Sequence, residues 1–140
     1  MILVQSFRPD LNLVYTRFGP ELSLETARRC AVDTFRHPRY VAGMNELVDL
    51  RAVETLDPAF EFETIHEIWE TQATWIRTLR GDGHVVIVAG SDLLFGMARI
   101  YASLAKQDDV HVTPCRDWNA ACDLLGIDAK MDLRTHVAEA

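Results

Sequence analysis

Five histidines, three cysteines and 21 acidic residues are the side chains here that could move a proton, attack a carbonyl or hold a metal ion. None of His37, His66, His84, His111 and His136 has a second histidine two or four residues on, the spacing that brings two imidazoles to one ion. Cys30, Cys115 and Cys122 are odd in number and scattered. Cys115 and Cys122 stand seven apart without a CxxC pair, so a zinc site would need distant segments. Cys122 reads as a small core residue. A general base needs a positioned substrate proton, and His66, set in an acidic helix, reads as solvated or half-buried. No Ser-His-Asp or Cys-His order stands out, and a G-x-S-x-G elbow is missing. These residues point away from catalysis and call for no cofactor and no metal.

Binding is better represented. Asp49 and Arg51 close a strand, at the edge where ligands of α/β sheets commonly sit. The simpler role for Asp49 is to shape a loop or to pair with Arg51 or Arg99. Gly90-Ser91-Asp92 opens a helix whose free amides could hold an anion, although Asp92 would repel one. No Walker lysine or G-x-G-x-x-G run accompanies it, and a plain N-cap is the favoured reading. Gly96, inside that helix, is expected to let it approach the sheet closely. Trp69 and Trp75, six apart on one helix, cannot fully share a face. Trp69 suits the core and Trp75 an interface, where indoles contribute much of the association energy. The expected ligand or partner surface therefore comprises Asp49, Arg51, Trp75, Ser91, Asp92 and Arg99.

The elements that must position these residues follow from apolar spacing. Ile2 to Arg8 and Leu11 to Phe18 are β-rich runs turned at Pro9-Asp10, which predicts an antiparallel hairpin. Gly19-Pro20-Glu21 breaks the second strand, and Ser23 caps a helix to Arg36 with Leu24, Ala27, Ala31 and Phe35 as its buried stripe. His37-Pro38 ends it. A strand over Met44 to Leu50 and a loop over Arg51 to Asp57 lead to a helix from Ala59 to Arg80, acidic early and basic late. His84 to Ala89 is nearly all apolar, as in a central strand covered on both faces. A third helix follows Ser91, a last strand spans Val110 to Thr113 with Pro114 closing it, and a fourth helix places Trp118, Ala121, Cys122 and Leu125 on one face before Gly126. The order predicts an α/β fold: an opening hairpin, then strand-helix crossovers in a mixed, mostly parallel sheet of about five strands with about four helices. One domain is expected over 1–126, with a polar tail over 127–140.

At 140 residues, with 49% hydrophobic and 25% charged side chains, the chain suits a single globular domain and excludes disordered and collagen-like classes. Its formal charge of −7 makes it a poor partner for nucleic acid or anionic lipid, whose phosphates need a basic surface. The opening apolar run stops after four residues, short of the ~7–15 of a secretory core, and nothing approaches the ~20 that span a bilayer. Unpaired cysteines fit a reducing compartment, so a cytoplasmic protein is expected.

Three segments taken together, Phe18-Gly19-Pro20-Glu21-Leu22-Ser23, Leu47-Val48-Asp49-Leu50-Arg51 and Ser91-Asp92-Leu93-Leu94-Phe95-Gly96-Met97-Ala98-Arg99, resemble the bacterial SpoIIAA-like family. That family is similar in fold to STAS domains and related to CRAL-TRIO lipid carriers, and the likeness runs from about Leu11 to Gly126. It implies a STAS-like two-layer sandwich. In anti-sigma-factor antagonists a phosphorylatable serine lies just beyond the strand that ends in aspartate; here Leu50-Arg51-Ala52-Val53-Glu54 follows Asp49 with no serine. The function expected is a non-enzymatic, STAS-like regulatory or protein-binding module, acting as a homodimer through apolar side chains of the hairpin or the long helix. The alternative is a carrier or sensor of a small apolar ligand, suggested by Phe60, Phe62, Trp69 and Phe95, and expected to need a cavity of ~300 Å³.

Overall fold

A computed structural model describes residues 1–79 and 83–134, the side chains of 75–79 apart. The hairpin forms as expected: β1 (Ile2–Arg8) pairs antiparallel with β2 (Leu13–Phe18). Pro9–Leu11 make one 3-10 turn, and Asn12 takes a left-handed conformation (φ 52°) to re-enter the sheet. The remaining main-sheet strands, β4 (Asn45–Asp49), β6 (Val85–Val88) and β7 (Val112–Cys115), are parallel, in the order β1-β2-β4-β6-β7. A separate pair, β3 (Glu21–Leu22) with β5 (Thr55–Leu56), occupies two stretches expected to be irregular. Two-residue strands carry no periodicity of their own, so long-range pairing alone creates them.

Helices α1 (Leu24–Arg36), α3 (Asp92–Gln107) and α4 (Trp118–Leu125) begin where the sequence says they should. Ser23, Ser91 and Asp117 accept hydrogen bonds from the amides of Thr26, Leu94 and Ala120. α2 (Phe62–Leu79) starts three residues later than expected. Asp57 explains the delay: its carboxylate accepts from the amides of both Leu24 and Ala59, holding the approach to α2 as a turn against the start of α1.

Strand alternation splits the core between the two faces of the sheet. Phe18, Leu50, Ile87 and Ala89 pack with Phe35, Ile65, Trp69 and Ala98 of α1, α2 and α3. Leu13, Tyr15, Leu47, Val86 and Val88 face the other way and pack with Ala121 and Cys122 of α4. Trp69 is buried as expected, its indole N–H donating to Asp108 Oδ2 at 2.9 Å.

Several local expectations are corrected. Pro114 does not end β7 but lies inside it, opposite Ile87. The carbonyls of His111 and Cys115 accept from Val85 and Ala89, so Pro114 turns its missing N–H to the outer edge of the sheet, where no ladder bond is lost. The segment after Gly126 is no free arm as far as it is described. Ile127 and Leu133 are buried, and the Ala129 and Asp132 carbonyls accept from Trp118 and Arg8. Gly96 is not a point of close approach either, because a Cβ there would meet nothing within 4 Å. Among the described residues no helix is long and apolar enough to cross a membrane.

Candidate functional site

The sheet's carboxyl edge holds two of the expected site residues in direct contact. Asp49, the last residue of β4, points to the α4 face and is 0% exposed. Its Oδ2 accepts from the Tyr15 hydroxyl at 2.7 Å and from Arg51 Nη2 at 2.9 Å, while Oδ1 accepts from the Arg51 amide and Nε at 3.0 and 2.9 Å. The Arg51 guanidinium lies over the Trp118 ring, 3.9 Å from its centroid. Burial pushes the Asp49 carboxyl up, but the bonds from Arg51 and Tyr15 outweigh it and hold the group below its ordinary range. A carboxylate so occupied is a brace between strand and helix, with no lone pair left to accept a substrate proton. Arg51, not Arg99, is its partner.

Ser91 and Asp92 also serve local structure. Ser91 caps α3, and Asp92 pairs with Arg116 at 2.8 Å. Arg116 in turn donates to the Gly90 carbonyl and covers the Phe95 ring. Arg99 stands apart, beside Lys106 and His111 in an open groove of about 450 Å³ between α3 and β7. Trp75 falls in α2, its side chain outside the described residues. Asp49 with Arg51 and Ser91 with Asp92 thus serve local structure, Arg99 lines the groove between α3 and β7, and Trp75 is placed only by the backbone of α2.

The opposite face of the sheet is hollow. Between it and α1, α2 and α3 lies a cavity of about 140 Å³, walled by Leu22, Ile65, Ile68, Ile87, Met97 and Ala98 among others. Among the described residues its polar lining consists of Thr16, Cys30, Thr34, Glu46, Gln72 and Tyr101. Gln5 donates to the hydroxyls of both Thr16 and Thr34, at 3.1 and 3.0 Å, which ties β1, β2 and α1 together along one wall. Burial pushes the Cys30 thiol up to about 11 and the Tyr101 phenol well above its ordinary value, so both stay neutral.

Glu46 is the exception on this wall. Among the described residues its carboxylate has no hydrogen-bond or ion-pair partner, and burial alone raises its pKa to about 7. It lines this cavity and also a gap of about 20 Å³ beside Phe35 and Met44. The sequence reading of this strand passed over Glu46. The available signal was register, since Glu46 alternates with Val48 and Leu50 on one face of a strand now seen to be flanked by strands on both sides.

Two further histidines meet through folding: the rings of His84 and His111 stack at 3.8 Å, and His84 Nε2 bonds the Thr113 hydroxyl at 2.8 Å. Among the described residues no group of three or more metal-ligating side chains comes together. In comparisons with known proteins, no family model matches the chain and no curated protein does.

Proposed function

We propose that this protein is a non-enzymatic binding module that holds a small apolar molecule in the cavity beneath α1, α2 and α3. One observation carries the reading: an apolar pocket of about 140 Å³ let into the main core between the sheet and α1, α2 and α3, where tight packing is the rule. It is about half of what a carrier of drug-sized ligands was expected to need, and it matches the ~150 Å³ of apolar cavities that take up benzene. The cargo is therefore one ring or a short chain rather than a fatty acid. The engagement of Asp49 by Tyr15 and Arg51 supports binding over catalysis, and the free thiols of Cys30, Cys115 and Cys122 fit a cytoplasmic setting.

Titration of the protein with toluene, followed by amide NMR, tests this. Shifts at Leu22, Ile65 and Ala98 that saturate and that vanish in Ala98→Leu, which fills the hollow, are the expected result. Native mass spectrometry of freshly isolated protein would show a resident ligand. No saturable shift, with no co-purified molecule, would remove the proposal.

A homodimer formed through apolar side chains of the hairpin or the long helix draws support from a second observation. Ile2 and Leu3 of edge strand β1 and Phe62 at the start of α2 are exposed, apolar and on the hairpin and long helix. Light scattering that gives a monomer at high micromolar concentration would exclude it.

A further inference from the structure

We infer that the cavity is built for a small apolar amine, its hydrocarbon body against the aliphatic wall and its ammonium on the Glu46 carboxylate. The inference rests on the reading of the cavity as a ligand site and adds the chemical class of the ligand.

Three observations carry it. The Glu46 carboxyl lines the cavity and, among the described residues, has no protein partner, whereas the neighbouring hydroxyls of Thr16 and Thr34 are held by Gln5. An unpaired buried carboxyl is costly to keep, and a ligand cation relieves that cost at a site whose desolvation folding has already carried out. The sign of the ligand charge follows from the lining, which among the described residues contains no lysine, arginine or histidine. An acid or a phosphate would bring a second negative charge to an uncompensated one. The size follows from the volume: about 140 Å³ accommodates one aromatic ring or a chain of similar bulk.

The groups that face Glu46 leave it as the titrating one. Cys30 comes from α1, Tyr40 from the loop after α1 and Tyr101 from α3, and all three sense its charge. α2 contributes neutral Gln72, and the flanking strands contribute Thr16 and Val85. The thiol and both phenols are pushed up by burial and stay protonated at neutral pH. An incoming ammonium therefore meets either an ionised Glu46 or a protonated one, and in the second case binding releases one proton to solvent. Below the Glu46 pKa affinity must fall by about tenfold for each pH unit.

Calorimetric titration of the full chain with benzylamine, benzyl alcohol, benzoate and toluene, at about pH 6 and about pH 8, tests the assignment. Benzylamine should bind at least ~10-fold more tightly than benzyl alcohol at the higher pH and lose about tenfold at the lower. Benzoate should bind most weakly. In Glu46→Gln the gap between amine and alcohol should close while toluene still binds. Equal affinities for benzylamine and benzyl alcohol in the unaltered protein at both pH values would overturn the amine assignment and leave the cavity reading intact, as would tightest binding by benzoate. Failure of all four compounds to bind would overturn the cavity reading and this inference with it. Benzylamine binding that survives Ala98→Leu would place the amine on the acidic surface and likewise sink the assignment.

Discussion

The Tyr15 hydroxyl and the Asp49 carboxylate meet at 2.7 Å on the α4 face of the sheet, one residue from each of two paired parallel strands. Asp49 and Glu46 share β4 but, three residues apart, point to opposite faces. One carboxylate is bonded by a phenol and a guanidinium and held low; the other has no partner among the described residues and is held high. A single short strand thus carries a structural acid and a candidate recognition acid, separated only by the thickness of the sheet.

Removing the phenol should weaken the brace. Tyr15→Phe deletes a hydrogen bond to a fully buried carboxylate and should cost about 2 kcal/mol, read as a lower urea midpoint with an unchanged slope. Arg51→Ala leaves Asp49 with the phenol and amide alone and uncovers Trp118. Because Arg51 is partly exposed, about 2–3 kcal/mol is expected rather than the full loss of a buried pair. A neutral effect of both changes would mean that Asp49 is not the brace described.

Glu46 should make stability depend on pH. Its pKa rises from 4.5 in an unstructured chain to about 7 in the fold, so between those values the native protein keeps a proton the unfolded chain has lost. The Glu46 contribution is then fully present below 4.5 and is lost as pH climbs to about 7, by up to ~3 kcal/mol. His84 works in the other direction: burial and then the stacked His111 hold its imidazole low, so stability falls as pH drops below 6.5. Denaturation of the unaltered protein and of Glu46→Gln across this range isolates the carboxyl, because the difference between them should carry the decline. Parallel curves would assign the decline to another group.

Gly96→Ala should stabilise. The residue is inside α3, its added methyl would meet open space, and alanine restricts the unfolded chain more than glycine does. A gain of about 0.5–1 kcal/mol is expected by urea denaturation, and a loss would show that α3 does use the glycine.

Gly19→Ala should do the reverse. Gly19 sits at φ +153°, and a Cβ built there would lie 2.6 Å from the Ala52 carbonyl oxygen. Both backbone and neighbour must move, so a loss of about 2 kcal/mol or more in the same assay is expected. An unchanged midpoint would mean that the Ala52 loop yields freely.

What could be read from the sequence was what neighbouring residues decide between them. Ser23 and Ser91 cap their helices and Gly126 stops one in a left-handed conformation, each within a turn of the residues it serves. The apolar run around Val86 likewise announced a strand covered on both faces. What escaped depends on partners far along the chain. β3 exists only because β5 comes beside it, Ile127 and Leu133 are buried only because α4 leaves sheet surface to cover, and Gly96 could not be known to face open space. Glu46 escaped for the same reason, since a carboxylate in a strand reads as solvated until three helices close over it.

Pro114, set mid-strand with its backbone turned outward, leaves the β7 flank one donor short of a continuous hydrogen-bonding template. The opposite flank, β1, has no proline and begins with exposed Ile2 and Leu3. Growth into a cross-β fibril, if this fold ever seeds one, should therefore proceed from the amino-terminal side of the sheet and stall on the other.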